Sequence, residues 1–429
     1  MHFKVEIIKY LFELKYARWV YKNNLEKLRI KRWNDLNSIL RKSPFYSKLA
    51  FKNSKLEDYP IIDKSIFMSH FDEINTQKIC KKVAYDLAIQ AENSRDFSPM
   101  INQITIGLSS GTSGNRGIFL ASEKERAQWV AGVLDRVIGF SLRKRKVAFF
   151  LRANSNLYDS VKSSVLSFYF LDLLRPTEEH IENLNKIQPT VLVAQPSMLL
   201  ELAKAIEEGL LSISPEKVIS VAEVLCPEDS IYLRRIFKQI IHQVYQCTEG
   251  FLASTCEKGT LHFNEDFLII EKKYIDEERV RFHPIITDLK RSSQPVIRYE
   301  LNDIIHEKFN CSCGSKMTGI EQIEGRADDV LFFQNEAKAE IRIYPDFFRR
   351  AIILSDETIL DYALIQKSED LISLYIDGTE ESFRKAKNGV LELLSLKEIK
   401  NVSVERIDTR QVEKGNKLRR IRNDYRKRN

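Results

Sequence analysis

The chain has 429 residues, of which 43% are hydrophobic and 30% charged, and its net charge is +7. This composition excludes a disordered chain, and the length predicts two to three domains rather than one core. The positive excess is small for this size; it fits an enzyme that handles anions and is too diffuse to indicate nucleic-acid binding. No apolar run reaches the roughly 18 residues of a membrane helix and no signal peptide is recognisable, so we expect a cytoplasmic protein.

Residues 1–100 are predicted to be mainly helical, because leucine, isoleucine and tyrosine recur at three- and four-residue spacing between the breaks SPFY and DYPIID. The first segment, MHFKVEIIKYLFELKYARWVYKNN, has the pattern of an amphipathic helix with mixed charge. We expect this helix to dock on the body of the protein, and contact with a membrane surface is the alternative.

From residue 101 the pattern alternates between strands and helices. ITIGL and GIFLAS predict strands on either side of a glycine-rich loop, EKERAQWVAGVLDRVIGF predicts a helix, and RKVAFFL, TVLVA, EKVISVAEVL and IIHQVYQCTEGF predict further strands. SSVLSFYFLDLL is compatible with either a strand or a helix. Strands that alternate with helices indicate a large α/β layered domain.

The remainder of the chain shows two further sequence patterns. Residues 257–333 are rich in strand and turn signals, which indicates a β-rich subdomain, and residues 335–429 predict a compact αββαβ unit. The fold class is therefore α/β, with a large N-terminal layered domain, its β-rich subdomain and a small C-terminal α+β domain. We place the divisions at 1–100, 101–327 and 328–429.

Glycine is concentrated in and next to the loop between the first two predicted strands. Gly107, Gly111, Gly114 and Gly117 are four of only 15 glycines in the chain. Neither the Walker pattern nor the dinucleotide GxGxxG pattern is present. On its own, SSGTSGNRG is equally compatible with a phosphate-binding loop and with a flexible turn.

Five motifs in order resemble those of adenylate-forming enzymes, the superfamily of acyl-CoA synthetases and adenylation domains, and most closely the phenylacetate–CoA ligase-like branch. They are SSGTSGNRG (109–117), VYQCTEG (244–250), IRYELNDI (297–304), EGRADDVLFF (324–333) and GNKLRR (415–420). The resemblance spans residues 100–429. It implies an ATP- and acyl-binding core in residues 101–327 and a mobile C-terminal domain in residues 328–429 that carries a catalytic lysine. The helical residues 1–100, predicted from their own pattern, are expected to pack on the main domain.

The resemblance also implies roles for individual residues. The β- and γ-phosphates of ATP would lie in the loop formed by Ser109, Ser110, Gly111, Thr112, Ser113 and Gly114. Arg116 departs from the lysine that many members carry, and as a bidentate phosphate partner it could keep the role. A solvent-exposed arginine on a turn is the alternative.

The later motifs would complete the nucleotide site. Glu249 would hold Mg²⁺ and Thr248 would hydrogen-bond the α-phosphate. Adenine would lie against Tyr245, Ala222 and Glu223; an aromatic side chain in the core is the alternative for Tyr245. Asp303 would accept the ribose hydroxyls, Arg326 would reach ribose or phosphate, and Asp328 would be the hinge of the C-terminal domain. Lys417 would contact the carboxylate and the α-phosphate, although Lys414, Arg419 and Arg420 are neighbouring candidates in the basic tail.

A second group of residues has the spacing of a structural zinc site. Cys256, His262, Cys311 and Cys313 form the pattern C-x5-H…C-x-C-G, and thiolate and imidazole ligands suit four-coordinate Zn²⁺. His283 and His306 are rival ligands. Some members of the phenylacetate–CoA ligase-like branch hold a metal in this segment.

The expected function is ATP- and Mg²⁺-dependent adenylation of a small-molecule carboxylic acid, favoured to be aromatic, followed by transfer to coenzyme A. Adenylation of a phenolic hydroxyl and loading of an acyl carrier protein are alternatives. A zinc-knuckle nucleic-acid-binding protein and an inactive scaffold are further alternatives; the first leaves the five motifs unexplained, so we expect no nucleic-acid partner. The oligomeric state stays open.

Overall fold

A computed structural model describes residues 2–21, 24–50, 54–94, 96, 98–109, 116–139, 143–151, 166–173, 175–326, 329–356, 358–359, 361–409 and 419–425. The chain divides into two compact units, the first formed by residues 1–301 and 307–321 and the second by 302–306 and 322–429. The three-part division drawn from the sequence stays a prediction. Among the described residues, every helix is too short or too polar to cross a membrane.

The first unit contains the N-terminal helices and a layered α/β domain. Its helices are α1 (His2–Val20), α2 (Leu25–Leu40), α3 (Lys64–Ser69), α4 (Phe71–Ile74), α5 (Lys81–Ser94), α6 (Glu123–Val133), α7 (Thr177–Ile187), α8 (Pro196–Glu207) and α9 (Pro227–Phe237), with a 3-10 turn at Leu56–Asp58 and a π-helical turn at Leu134–Ile138. Helix α1 packs against α6, which confirms that the N-terminal segment docks on the body of the protein.

The strands of this unit begin with a three-stranded meander. They are β1 (Met100–Ile101), β2 (Ile104–Leu108), β3 (Ile118–Ala121), β4 (Arg145–Leu151), β5 (Leu166–Asp172), β6 (Val191–Ala194), β7 (Lys217–Val221), β8 (Ile241–Cys247), β9 (Gly250–Thr255), β10 (Leu261–Phe263), β11 (Leu268–Tyr274), β12 (Arg281–Asp288) and β13 (Tyr299–Glu300). The segment that sequence patterns left ambiguous is thus a strand, β5.

The main sheet of the first unit has a parallel half and an antiparallel extension. Strands β5, β4, β6, β7 and β8 pair in that order and are parallel. All four residues of β6 are buried, as expected for an apolar strand covered by helices on both faces. Strands β9 and β10 continue the sheet in antiparallel order, so the chain reverses at Thr248 and Glu249, at the carboxyl end of β8.

After β13 the chain forms two more strands, β14 (Asp303–Lys308) and β15 (Gly319–Arg326). The second unit then forms its own sheet and core. Its elements are β16 (Leu331–Gln334), β17 (Glu340–Ile343), α10 (Pro345–Ile353), β18 (Tyr362–Gln366), β19 (Leu371–Ile376), α11 (Glu380–Ser395), β20 (Ser403–Arg406) and β21 (Ile421–Asn423). The four-stranded order is β20-β19-β18-β21, and Phe348, Ile352, Leu364, Leu374 and Val390 are fully or almost fully buried between sheet and helices. The predicted αββαβ order is confirmed for α10 to β20, and β17 and β21 are two further strands that the sequence pattern did not predict.

Candidate functional site

The turn at Thr248 and Glu249 lies where ligands bind in open α/β sheets, beyond the carboxyl end of a parallel strand. The Thr248 hydroxyl donates to Glu249 Oε2 at 2.8 Å. The hydroxyl of Tyr299 donates to the other carboxylate oxygen, Oε1, at 2.9 Å. Both oxygens of Glu249 are therefore oriented by neighbouring hydroxyls.

Tyr299 is held in place by a segment from the N-terminal region. The amide of Ile62 donates to the carbonyl of Arg298 at 3.0 Å, and the amide of Glu300 donates to the carbonyl of Ile62 at 2.8 Å. Burial raises the pKa of Tyr299, and the negative charge of Glu249 raises it further. The phenol therefore stays protonated and acts as a donor to Glu249. The motif IRYELNDI contains Tyr299, but sequence patterns assigned it no role.

Arg291 and Gln294 connect the Thr248–Glu249 turn to the strand that follows the glycine loop. Arg291 donates to the carbonyl of Thr248 and, at 3.1 Å, to Gln294 Oε1. The Gln294 amide group in turn donates to the carbonyl of Ile118 at 3.1 Å, and Gln294 Oε1 accepts from the amide of Leu120 at 3.0 Å. The Thr248–Glu249 turn and strand β3, which follows the glycine loop, are therefore joined by two side chains that sequence analysis did not identify.

The segment that carries Arg291 and Gln294 is fixed by a buried carboxylate. Glu125 accepts from the amides of Ser292 and Ser293 at 2.6 and 2.7 Å, and also closes the capping box of α6 with Ser122. Burial raises the pKa of Glu125, but the hydrogen bonds from Ser293 and Ser122 outweigh it, so the net pKa lies below the ordinary value. The carboxylate stays ionised and anchors the segment.

The glycine loop, residues 109–117, closes at a neck formed by Ser109, Arg116 and Gly117. The amide of Ser109 donates to the carbonyl of Gly117 at 2.8 Å, and the amide of Gly117 donates to Ser109 Oγ at 2.7 Å. Arg116 Nε donates to the carbonyl of Ser109 at 3.0 Å. The predicted phosphate-binding residues Ser110, Gly111, Thr112, Ser113 and Gly114 lie outside the described residues.

A cleft brings the neck and the Thr248–Glu249 turn together. It is lined by Lys64, Phe67, Met68, Gly117, Ile118, Thr248, Glu249, Arg291, Gln294 and Tyr299. Lys64 begins α3 behind its N-cap Asp63, and sequence analysis did not single it out. One wall of the cleft is therefore formed by the end of the glycine loop, and another by a carboxylate with its hydrogen-bond donors.

The predicted adenine-binding residues follow the same edge of the sheet. Ala222 comes directly after β7 with φ of 67°, and Glu223 accepts from the amide and hydroxyl of Ser197 at 3.2 Å each. Tyr245, on β8, is 9% exposed, and its ring centroid lies 6.3 Å from that of Phe263. Their contact with adenine stays a prediction.

Two further predicted nucleotide-binding residues, Asp303 and Arg326, belong to the second unit. Asp303 begins β14, half-buried, and Arg326 ends β15. Asp328 and Lys417 lie outside the described residues. Their neighbours in the chain are connected, because Arg419 Nε donates to Asp329 Oδ2 at 3.3 Å. Their roles stay predictions.

The four residues with zinc-ligand spacing converge in the first unit. The ligand atoms of Cys256, His262, Cys311 and Cys313 all lie within 4.8 Å of one another. Cys256 Sγ lies 3.8 Å from Cys311 Sγ, and Cys313 Sγ lies 3.4 Å from His262 Nε2. Bonds of about 2.3 Å to sulfur and about 2.0 Å to nitrogen in a tetrahedron require about 3.8 Å between two sulfurs and about 3.5 Å between sulfur and nitrogen.

The histidine of this cluster has the orientation that a metal ligand needs. His262 Nδ1 lies 2.9 Å from the carbonyl oxygen of Met317, so Nδ1 carries the proton and Nε2 presents a lone pair to the three sulfurs. Gly314, which follows the C-x-C pair, has φ of 73°, a value that favours glycine. Among the described residues, the cluster contains neither of the rival histidines, His283 and His306.

Neither a family model nor a curated protein matches the chain. Solved structures do. 2-Hydroxyisobutyryl-CoA ligase in the postadenylation state superposes with a TM-score of 0.63 at 14% identity over 93% of this chain and 88% of that one. An anthranilate CoA ligase in complex with anthranoyl-AMP gives a TM-score of 0.52 at 13% identity over 73% and 66% of the two chains. An amide bond synthetase from Marinactinospora thermotolerans gives 0.51 at 12% identity over 72% and 65%. These similarities establish the fold.

Proposed function

We propose that this chain, which has the fold of the adenylate-forming enzymes, activates a carboxylic acid with ATP and transfers the acyl group to coenzyme A. One observation carries the proposal. The neck of the glycine loop and the Thr248–Glu249 turn line one cleft, joined by Arg291 and Gln294. A glycine-rich loop beside an oriented carboxylate is suited to a polyphosphate with its metal ion.

The residues of the cleft would act mainly by positioning. The donor chemistry of Glu249 fits Mg²⁺, which prefers one or two carboxylates together with phosphate oxygens and which neutralises phosphate charge when bound. Thr248 would donate to the α-phosphate, and the residues from Ser109 to Gly114 would bind the phosphates that leave as pyrophosphate. Arg291 holds the turn that carries both Thr248 and Glu249.

Residues beyond the cleft would complete the reaction. Tyr245, Ala222 and Glu223 would bind adenine, and Asp303 would accept the ribose hydroxyls. Arg326 would reach ribose or phosphate, and Asp328 would be the pivot between adenylation and thioester formation. Lys417 would stabilise the negative charge that develops as the carboxylate attacks the α-phosphate.

The proposed substrate is an aromatic acid, in line with the resemblance to the phenylacetate–CoA ligase-like branch. The names of the proteins with similar folds include both an aliphatic acid and an aromatic one, 2-hydroxyisobutyryl and anthranoyl respectively. Coenzyme A is the proposed acceptor, and an acyl carrier protein is the alternative.

The cysteine and histidine cluster is proposed to hold a structural Zn²⁺. Three thiolates and one imidazole within 4.8 Å of one another, two pairs of them at tetrahedral spacing, offer a closed set of four protein ligands, which is typical of structural rather than catalytic zinc. The ion would pin the Cys311–Cys313 turn to β10, which itself pairs with β9 beside the Thr248–Glu249 turn.

The test is pyrophosphate release over a panel of aromatic and aliphatic carboxylates, each with and without coenzyme A. We expect release that depends on one acid class, on ATP and on Mg²⁺, with Glu249→Gln and Lys417→Ala inactive. A thioester product confirms the acceptor. Pyrophosphate release without thioester formation indicates another acceptor, such as a carrier protein. Absence of release with every acid, from a protein whose melting temperature is normal, overturns the proposal.

A further inference from the structure

Helix α1 is apolar on two opposite faces, although only one of them packs on the protein. Ile7, Tyr10, Leu14 and Ala17 are buried on the face towards α6. The opposite face, formed by Val5, Ile8, Phe12, Tyr16 and Trp19, is exposed. Docking on the body of the protein therefore explains half of the apolar residues of this helix.

The exposed residues form one continuous stripe, which we call the outer face of α1. Their spacing of three, four, four and three residues keeps them on one side of a helix, over a length of about 21 Å. Phe12, Tyr16 and Trp19 are 70%, 64% and 77% exposed, and the rings of Tyr16 and Trp19 lie 6.2 Å apart. Single exposed apolar side chains are ordinary, but a contiguous aromatic stripe marks an interaction surface.

The charges around this stripe are mainly positive. The helix carries four cations (Lys4, Lys9, Lys15 and Arg18) and two acids, and Arg18 forms an ion pair with the buried Asp135 at 2.5 Å, which leaves the three lysines beside the stripe. Glu13 is directed towards the body of the protein, 3.4 Å from Arg32 and 3.7 Å from Lys290. Glu6 lies 3.6 Å from Lys9, whose side chain is 65% exposed. The outer face therefore presents aromatic rings flanked by cations.

This combination selects one kind of partner. In a symmetric pair of α1 helices the lysines of one copy would face those of the other, while Glu13 lies beside Arg32 and Lys290 of its own chain. An anionic lipid surface is complementary to both features, because aromatic side chains enter the headgroup region and lysine and arginine attract the lipid charge. Tryptophan and tyrosine are also the residues enriched at membrane interfaces.

We propose that the outer face of α1 binds the surface of a membrane that contains anionic lipid, with the helix lying in the plane of the interface. This proposal does not depend on the function proposed above. It assigns a role to exposed aromatic side chains that the nucleotide cleft does not use.

The test is flotation of the full-length protein with phosphatidylcholine vesicles, with and without about 30 mol % phosphatidylserine. We expect flotation with the anionic vesicles, weaker flotation at high salt, and a blue shift of tryptophan emission on binding that Trp19→Phe abolishes. The triple variant Phe12→Ser/Tyr16→Ser/Trp19→Ser should lose about tenfold or more in vesicle affinity, and Lys9→Glu/Lys15→Glu should lose affinity for the anionic vesicles selectively.

A matched control keeps this test specific. Leu354 and Leu396 are each 82% exposed and lie far along the chain, so Leu354→Ser/Leu396→Ser should float as the wild type does. Light scattering of the same variants tests whether a second copy of the chain binds this face instead. The membrane assignment is overturned if the wild type is a dimer that does not bind vesicles and the triple variant is a monomer. Equal flotation of the triple variant and the wild type also overturns it.

Discussion

Arg116 forms a two-pronged ion pair with Glu92, on α5. Its two terminal nitrogens lie 2.7 and 2.5 Å from the two carboxylate oxygens, and its Nε donates a hydrogen bond to the carbonyl of Ser109. The hydrogen bond with Glu92 raises the pKa of Arg116, so the guanidinium stays charged. Arg116 therefore closes the neck of the glycine loop and connects it to a helix.

The Glu92→Gln variant tests whether the ion pair between Arg116 and Glu92 contributes to ATP binding. If Arg116 serves the loop from its present position, the variant loosens the neck, and the KM for ATP should rise about 3- to 10-fold with a smaller change in kcat. The measurement is pyrophosphate release as a function of ATP. A fall in KM would show instead that Glu92 competes with phosphate for Arg116. Glu207→Gln, which weakens an exposed pair with Arg235 at 3.2 Å, is the control.

Tyr299→Phe removes one donor to Glu249 and leaves the ring in place. We expect kcat/KM to fall about fivefold, equivalent to about 1 kcal/mol for one hydrogen bond, because the carboxylate loses one constraint on its orientation. Tyr232→Phe is a matched control, since the Tyr232 hydroxyl donates to Glu207 at 2.6 Å on the surface. An unchanged kcat/KM for Tyr299→Phe would mean that Thr248 alone orients Glu249.

The zinc assignment predicts one equivalent of zinc per chain, measured by mass spectrometry of the metal. Cys313→Ser and His262→Ala should lose the metal and melt at a lower temperature, because the Cys311–Cys313 turn is then no longer pinned to β10. Cys80→Ser is the control, because Cys80 is exposed and stands outside the cluster. Full zinc occupancy in both ligand variants would rule the site out.

The buried carboxyl group of Asp288 leads us to expect an unusual dependence of the stability of the fold on pH. Burial raises its pKa to about 6, against the amide of Lys290 and the charge of Arg291, which lower it. The folded state thus holds the proton more tightly than the unfolded state, so ionisation destabilises the fold as the pH rises from about 4 to about 6, and the cost is complete above that range.

Asp288→Asn should therefore raise the free energy of unfolding at pH 7.5 by about 1 to 3 kcal/mol, and the gain should shrink at pH 5. Urea unfolding at the two pH values measures both quantities. A variant that is less stable than the wild type at pH 7.5 would show that the attraction between Asp288 and Arg291 outweighs the cost of burial.

Local sequence patterns predicted much of the architecture. The alternation of strands and helices, the αββαβ order of the second unit and the spacing of Cys256, His262, Cys311 and Cys313 are properties of short segments, and the structure reproduces each of them. The order of five motifs was sufficient to predict the adenylate-forming fold. Periodicity also predicted a docked α1, because Ile7, Tyr10, Leu14 and Ala17 have helical spacing.

Tertiary structure decided how these parts meet. Gln294 contacts Ile118 and Leu120 across more than 170 residues, and no local pattern encodes such a pairing. The same holds for Tyr299 with Glu249, and for Arg116, which by sequence was either a phosphate ligand or an exposed side chain and in the structure is paired with Glu92. Secondary structure follows from short-range sterics and periodicity, whereas the partner of a polar side chain depends on which distant segment the folded chain brings within about 3 Å.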